Sequence, residues 1–448
     1  MPARRRALRV RRAPQGRGDD RRVAGRADAD RAGLPVARDR GHRRRAHRDR
    51  RLVPGKGVGR PSRSCGGRDS ACGGGSGSTA ARRPRCIGRD RDAPVRLGLT
   101  RRAVSLLHVH RSEITVDLGA LRRNVRTLVR VLEGAELWAV VKADAYGHGA
   151  VDVAGAALGS GASALCVATV GEGLTLRREY AGVRILVMGP TTSSREIAQA
   201  RDAELELAIS DEEIPDGVRV HTKLDTGMGR YGTARLPELR ENVVGLMTHL
   251  ATADTDQEFA REQLRRFEAA TAEHRHLTRH AANSAAALRI PESRYDAARC
   301  GVAIYGLSPF GEDPADDGLE PVLSWQTFLA QVKELQPGES TGYGRRFVAE
   351  EPTWIGIVPV GYADGFRRDM TGTEVRVGGE LREVVGTVSM DSFAVRLDRE
   401  LPVGTPVVLL GHGVLAESHA RVADTINYEL VCGVGSDPRR ARRTVMDG

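Results

Sequence analysis

The sequence predicts an N-terminal α/β domain with a (β/α)8 barrel, followed by a C-terminal β-strand domain, with a disordered arginine-rich extension in front. Three observations lead to this prediction. The first 108 residues are basic and have no apolar periodicity. From about residue 112, short apolar runs alternate with amphipathic segments, and after about residue 318 short alternating runs stand between Gly and Pro turns. We therefore expect domains at 1–108, 109–318 and 319–448.

The N-terminal extension differs in charge from the rest of the chain. Residues 1–110 contain 31 Lys and Arg against nine Asp, a net charge of +22; with +11 for the whole chain, the remainder carries −11. A segment built from Arg, Gly, Ala, Asp and Pro cannot bury enough apolar surface to offset its ordering entropy. A nucleic-acid-binding arm is the alternative, but the aromatic residues that stack on bases are missing from this segment. We expect a functionless disordered extension, or a start site placed too far upstream, and no nucleic-acid partner.

Targeting and metal signals are weak. The sequence has no run of 18 apolar residues and no apolar stretch of a secretory signal, so we expect a cytoplasmic protein without a membrane partner. The six cysteines have neither zinc-ligand spacing nor a disulfide pattern, and we expect no metal. They are Cys65, Cys72, Cys86, Cys166, Cys300 and Cys432.

Eight apolar runs rich in Val, Ile and Leu are the predicted barrel strands, and eight is the number that closes such a barrel. They span residues 137–142, 164–169, 184–189, 204–210, 218–225, 245–250, 277–283 and 299–306. Helical spacing of apolar residues predicts helices at 118–132 and 254–274. The segments after Ser210 and after Arg230 are too short for full crossover helices, so the barrel is expected to be trimmed on one side.

The C-terminal domain is predicted from short alternating runs. These lie at residues 323–335, 354–360, 374–377, 384–388, 392–397 and 406–410.

Lysine is scarce: the chain has only Lys56, Lys142, Lys223 and Lys333, whereas 65 of its 69 basic residues are Arg. A retained lysine suggests that a primary amine is needed, because a guanidinium can neither form a Schiff base nor titrate near neutral pH. Lys142 ends a predicted strand and precedes a Gly-rich segment, which is where barrels of this kind place their chemistry. Lys223 lies similarly, whereas Lys333 is expected to be a solvated strand residue.

Residues 140–149 read VVKADAYGHG, and this motif resembles the cofactor-binding signature of the alanine racemase family. Further motifs of that family follow in order, so the resemblance covers residues 112–446. They are KLDTGMGR at 223–230, TH at 248–249 with AD at 253–254, ANS at 282–284, RCGVAIYG at 299–306, GYG at 342–344, PVGYADG at 359–365, GTVSMD at 386–391 and NYE at 427–429.

The resemblance implies a pyridoxal-5′-phosphate-dependent isomerase that interconverts L- and D-alanine and supplies D-alanine for peptidoglycan. It implies that Lys142 holds the cofactor as a Schiff base and acts as one acid/base group. Tyr343 would be the opposite base, contributed by a second subunit, so the protein would be a homodimer with shared active sites. Removing a proton on one face of the α-carbon and returning it on the other suits two opposed groups.

The remaining roles are also implied by the resemblance. Arg299 would face the pyridine nitrogen and, with His249, favour the phenolate of Tyr343. Arg230 and the Met390 amide would bind the substrate carboxylate. The supporting residues are Lys223, which is carbamylated in some members, and Tyr362 and Asp391, which would line the entrance. The cofactor-binding set is completed by Tyr146, Asn283, Ser284, Gly301, Val302 and Tyr428.

Two alternatives stay open at this point. One is a broader racemase acting on serine, lysine or arginine, although such enzymes are typically exported. The other is a non-catalytic pyridoxal-phosphate-binding protein, but proteins of that class lack the β domain and Tyr343.

Overall fold

The structure is a computed structural model, and it describes residues 110–448. The predicted N-terminal extension lies outside the described residues. In the described part of the chain, no helix is long and apolar enough to cross a membrane.

The described chain opens with strand β1 (Ser112–Asp117) and helix α1 (Leu118–Val131). Asp117 begins the helix because its side chain accepts a hydrogen bond from the Ala120 amide at 3.0 Å. Leu121, Val125 and Leu128 recur at helical spacing and are fully buried. The helix predicted at 118–132 is thereby confirmed.

Eight parallel strands close into a barrel, which confirms the predicted fold and all eight predicted strands. They are β2 (Glu136–Val140), β3 (Ala162–Val167), β4 (Arg184–Val187), β5 (Glu206–Ile209), β6 (Arg219–Lys223), β7 (Val243–Met247), β8 (Thr278–His280) and β9 (Ala297–Cys300). Closure is made by β2 pairing with both β3 and β9.

Helices follow most of these strands. The connecting segments are α2 (Lys142–Tyr146), α3 (Ala150–Leu158), α4 (Val170–Glu179), α5 (Ser194–Asp202), α6 (Gln257–Thr271) and α7 (Ser284–Arg289). The helix predicted at 254–274 is α6 with a 3-10 turn to His274. Neither residues 210–218 nor residues 224–242 contain a helix, so the barrel is trimmed after β5 and after β6, as the short segments predict.

The C-terminal part is a nine-stranded sheet in the order β11-β14-β17-β16-β15-β18-β10-β1-β19, with a separate β12-β13 pair. Its strands are β10 (Leu323–Phe328), β11 (Gln331–Leu335), β12 (Ser340–Thr341), β13 (Phe347–Val348), β14 (Thr353–Val358), β15 (Glu374–Val377), β16 (Glu380–Val385), β17 (Phe393–Leu397), β18 (Pro406–Leu410) and β19 (Ala441–Met446).

Three features of this part were not anticipated from the sequence. Strand β1 joins the sheet, antiparallel to β10 and parallel to β19. Two short helices, α8 (Ala416–Val422) and α9 (Asn427–Gly433), interrupt the β structure before its last strand. The α9 helix contacts α2, so it brings the C-terminal part against the edge of the barrel where Lys142 lies.

Candidate active site

Lys142 lies two residues after the end of β2, at the carboxyl edge of the barrel, and begins an unusual turn. Ala143, Asp144 and Ala145 have φ values of 51 to 53°, and Tyr146 has 55°. Left-handed conformations cost non-glycine residues about 1–2 kcal/mol each. The turn is held by two carboxylates: Glu172 accepts from the Ala143 amide at 2.7 Å, and Asp144 accepts from the Ala150 amide at 2.8 Å. Such a strained segment, fixed from outside, is typical of functional sites.

The Lys142 amine is half-buried, and its surroundings favour the neutral form. Burial, followed by the positive charge of Arg230, lowers the pKa of this amine from its ordinary value. A lysine with a lowered pKa is a better nucleophile and a better base near neutral pH. Lys142 is therefore suited to bind a carbonyl group and to exchange a proton.

Arg299 lies in β9, is almost fully buried and donates to several groups around it. Its Nη2 donates to the Thr248 carbonyl at 2.7 Å and to the Ala281 carbonyl at 3.3 Å. Its Nη1 lies 2.5 Å from His280 Nδ1 and donates to the His280 carbonyl at 3.0 Å. These contacts fix the guanidinium plane at the carboxyl edge of the barrel, and burial lowers its pKa to about 10.

His249 stands beside this arginine, with Nδ1 3.4 Å from Arg299 Nη2. Burial, and then the charge of Arg299, lowers the pKa of His249 to about 3. The imidazole is therefore neutral at physiological pH and can accept a hydrogen bond from the arginine.

A cluster of hydroxyl and amide groups surrounds Gly301, directly after β9. The Ser284 hydroxyl accepts hydrogen bonds from the Gly301 amide at 3.1 Å and from the Ala303 amide at 3.4 Å. A Cβ on Gly301 would come within 2.6 Å of the Tyr146 hydroxyl, so the glycine leaves room for that phenol. The ring of Tyr428, from α9, lies 6.1 Å from the Tyr146 ring. Hydroxyl and amide groups gathered in this way can hold an anion.

Two other predicted residues have clear structural surroundings. Asn283 caps α7 by accepting from the Ala286 amide at 3.0 Å, and its Nδ2 donates to the Leu250 carbonyl at 3.5 Å. Val302 is buried in the 3-10 turn that follows Gly301.

Lys223 and Arg230 flank the aromatic ring of Tyr231, at 5.5 and 5.8 Å from its centroid. Lys223 ends β6 and is buried, whereas Arg230 is exposed on the loop after it. Burial, then Arg299 and Arg230, lowers the pKa of Lys223 to about 8. This lysine is thus a cation held among other cations.

The predicted residues of the β domain form a separate, exposed group. Tyr343, Met390 and Tyr362 are 71%, 53% and 44% exposed. The Tyr343 hydroxyl has no hydrogen-bond partner among residues 110–448. Asp391 is bound by Arg440 at 2.7 Å and by Arg111 at 3.3 Å, and the hydrogen bond from Arg440, above all, lowers its pKa. Within one chain, the predicted barrel residues therefore lie together, whereas these residues of the β domain are exposed to solvent.

Glu206, His221 and His280 were not predicted as site residues, yet they continue from Arg299 into the barrel. A signal was present: each is a polar residue within an apolar strand, and His221 shares the inward strand face with Lys223, two residues later. In the described residues there is no cluster of His, Cys, Asp and Glu that could hold a metal. Cys166, Cys300 and Cys432 are free thiols.

Comparison with known proteins gives one consistent result. Residues 116–309 match the family described as "Alanine racemase, N-terminal domain", and residues 322–443 match "Alanine racemase, C-terminal domain". The alanine racemase of Symbiobacterium thermophilum is 41% identical over 355 residues, which cover 71% of this chain and 93% of that protein. That of Ligilactobacillus salivarius is 37% identical over 352 residues, with 71% and 94% covered.

Solved structures agree. The alanine racemase of Streptomyces coelicolor superposes with a TM-score of 0.69 at 37% identity, covering 76% of this chain and 99% of that one. The enzyme of Streptomyces lavendulae gives a TM-score of 0.70 at 33% identity, with 76% and 98% covered.

Proposed function

The chain belongs to the alanine racemase family and is an isomerase of alanine, and we propose that it works by a two-base mechanism with pyridoxal 5′-phosphate. We further propose that it acts as a cytoplasmic homodimer and supplies D-alanine for peptidoglycan. The observation that carries the proposal is Lys142: a half-buried amine of lowered pKa, held on a strained turn at the carboxyl edge of the barrel.

The residues present fit pyridoxal phosphate at three points. The Lys142 amine can form the covalent link to its aldehyde. The cluster of Tyr146, Ser284 and Gly301 can accommodate its phosphate, with the Tyr428 ring beside Tyr146. Val302 directly follows Gly301 and Asn283 directly precedes Ser284. Arg299 cannot readily give up a proton, so it fits a ring nitrogen that stays unprotonated.

When bound, pyridoxal phosphate would serve as an electron sink that weakens the bond between the α-carbon of alanine and its hydrogen. Lys142 would then remove or return that proton through its Nζ on one face, after the substrate amine has replaced it. The lowered pKa of Lys142 supports this role, because a base works best when its pKa lies near the working pH.

The opposite face would be served by the partner subunit's Tyr343. A neutral phenol is a poor base at pH 7, so this role needs a neighbouring cation. Arg299 and the neutral His249 of the barrel would favour the phenolate. The 71% exposure of Tyr343 supports a role across a subunit interface, because a catalytic tyrosine is otherwise shielded from water.

The substrate carboxylate would be bound by Arg230 together with the partner's Met390 amide. Lys223 would hold Arg230 in place, and its lowered pKa makes a neutral or carbamylated amine accessible. Tyr362 and Asp391 would border the entrance at the subunit junction; Tyr362, Tyr343 and Met390 are exposed large apolar side chains.

The proposal is tested on the purified full chain with two lysine variants. K142A should lose both the visible absorbance of bound pyridoxal phosphate and the conversion of L- to D-alanine. K333A is the matched control, because Lys333 is exposed on β11, and it should keep both. A K142A protein that still bound the cofactor covalently, or a cofactor-loaded dimer without racemisation, would contradict the proposal.

A further inference from the structure

The charge of Arg299 is buried without a carboxylate beside it. The guanidinium donates to backbone carbonyls and lies beside the imidazole nitrogens of His280 and His249, all of which are uncharged. An unpaired buried charge is costly, since the protein interior stabilises ions poorly compared with water. Some other group should therefore compensate this cation.

A row of hydrogen bonds leads from Arg299 to such a group. His280 Nε2 lies 2.8 Å from His221 Nδ1, and His221 Nε2 lies 2.8 Å from Glu206 Oε2. Trp138 packs against both imidazole rings, with centroids 4.6 and 5.7 Å away. The row therefore crosses the interior of the barrel, from the carboxyl edge at His280 to the opposite edge, where Glu206 begins β5.

Glu206 is buried and ionised. Burial opposes its ionisation, but the hydrogen bond from His221 and the charges of Arg184 and Arg219 outweigh burial, so its pKa is lowered. Arg219 Nη2 lies 2.8 Å and Arg184 Nε 3.4 Å from Oε1. The other carboxylate oxygen, Oε2, is the one that contacts His221.

The two ends of the row fix where its protons lie. A carboxylate only accepts hydrogen bonds and a guanidinium only donates them. His221 must therefore donate from Nε2 to Glu206 and accept at Nδ1, and His280 must donate from Nε2 to His221 and accept at Nδ1 from Arg299. Both imidazoles must be neutral for this, and burial lowers the pKa of each in accordance with it.

We propose that Glu206 and His221 are positioning residues for Arg299: through His280 they present a polarised Nδ1 acceptor that orients the guanidinium and compensates its charge from the far side of the barrel. Hydrogen bonds in a chain strengthen one another in a low-dielectric interior, which is why a remote carboxylate can act at this distance. The inference rests on the proposed function to the extent that Arg299 is taken to face the cofactor ring.

The first test measures the unchanged row of side chains, and variants serve only to assign its signals. The full chain, loaded with pyridoxal phosphate and labelled with ¹⁵N-histidine, is measured by solid-state NMR, with H221N and H280N used for assignment. We expect both side chains to be neutral and to carry hydrogen on Nε2. An imidazolium at either position, or hydrogen on Nδ1, would overturn the proposal.

The second test removes the far acceptor. E206L should populate the Nδ1–H form of His221 or His280 and lower kcat by about 10- to 100-fold, the loss expected for one hydrogen bond to a charged group. The KM for alanine should stay within about twofold, because the substrate carboxylate is assigned to Arg230. E206Q keeps an acceptor and should recover the wild-type protonation pattern and most of kcat.

Glu136 provides the matched control at the same edge. It accepts from Trp138 Nε1 at 2.7 Å and from Ser163 Oγ at 2.9 Å rather than from a histidine. E136L should therefore keep both kcat and the histidine protonation pattern. If E206L behaved like E136L in either readout, the proposal would be overturned. An inactive wild-type enzyme would instead refute the proposed function, since the NMR pattern does not depend on turnover.

Discussion

Replacing Gly301 by Ala tests the proposed phosphate site with the smallest possible change. The added Cβ would lie 2.6 Å from the Tyr146 hydroxyl oxygen and 3.1 Å from its Cζ, whereas ordinary contacts begin at 3.4 Å. The phenol must therefore move by about 0.8 Å, the difference between 3.4 and 2.6 Å. Gly301 has φ −109°, so it is not in the left-handed region that favours glycine, and the clash with Tyr146 is the new contact that alanine introduces.

The magnitude follows from the surroundings of the phenol. Tyr146 is buried, and its ring packs against Tyr305 with centroids 4.9 Å apart, so it cannot retreat freely. Overpacking of this kind costs about 1–3 kcal/mol. If the cost falls on cofactor binding, the dissociation constant of pyridoxal phosphate should rise by about 5- to 150-fold.

The assay is a titration of the cofactor-free full chain with pyridoxal phosphate, followed by absorbance. G433A is the matched control, because no heavy atom outside its chain neighbours and its own helix backbone lies within 4 Å of a Cβ built on Gly433. Phenylalanine lacks the clashing oxygen, so G301A should weaken cofactor binding less in a Y146F background than in the wild-type protein. The two effects are compared in a double-mutant cycle. If G301A bound the cofactor as tightly as G433A does, Gly301 would not be part of the phosphate site.

Three further predictions concern the catalytic and electrostatic residues. Y343F should lower kcat by about 10²- to 10⁴-fold, with cofactor affinity and thermal stability little changed, because it removes only a hydroxyl that has no hydrogen-bond partner among residues 110–448. Retained activity would show that Tyr343 is not a base. R299E should raise transamination relative to racemisation, because a carboxylate would allow the ring nitrogen to be protonated. The ratio is measured as pyruvate formed per racemisation event, and an unchanged ratio would contradict the prediction. The folded pKa of Lys223, about 8, lies below its unfolded value of 10.5, so the folded protein binds fewer protons between these pH values and its stability should rise with pH there. In CO₂-free buffer, the free energy of unfolding measured by urea denaturation should rise with pH by about 1–3 kcal/mol less in K223M than in the wild-type protein. The same pH dependence in both proteins would refute the lowered pKa of Lys223.

The barrel could be predicted because each of its strands is buried on both faces and therefore appears as a short apolar run. All eight strands end earlier than predicted, as with 204–210 against Glu206–Ile209. Hydrophobicity continues past the last ladder hydrogen bond, because the turns at the carboxyl edge are themselves buried; Ala145 and Val302 are examples. Burial thus locates a strand, but the backbone pairing that ends it is not visible in one sequence.

The remaining features depend on contacts between distant segments. Strand β1 pairs with β19, whose residues follow it by more than 300 positions, and nothing local distinguishes it from a barrel strand. The row from Glu206 to His280 exists only because barrel closure brings β5, β6 and β8 to a common interior. Lys142 was recognisable from its position and its residue type, whereas the exposure of Tyr343 could be learned only from the structure.

No helix follows β5 or β6, so other contacts must support strand β6 and hold Lys223 at its end. Strand pairing supplies part of the answer, because β6 keeps regular pairing with β5 and pairs with β7 through one irregularity. Apolar loop side chains supply the rest: Ile214 is buried at the missing helix after β5, and Leu236 and Leu239 pack against the core after β6. A few leucine-sized contacts can cover the outer face of a strand, since the stabilisation scales with the apolar area removed from water and not with helical conformation. The site residues on β6 therefore rest on the strand ladder, while Arg230, on the exposed loop beyond it, is the site residue whose position depends most on the loop and on the proposed partner subunit.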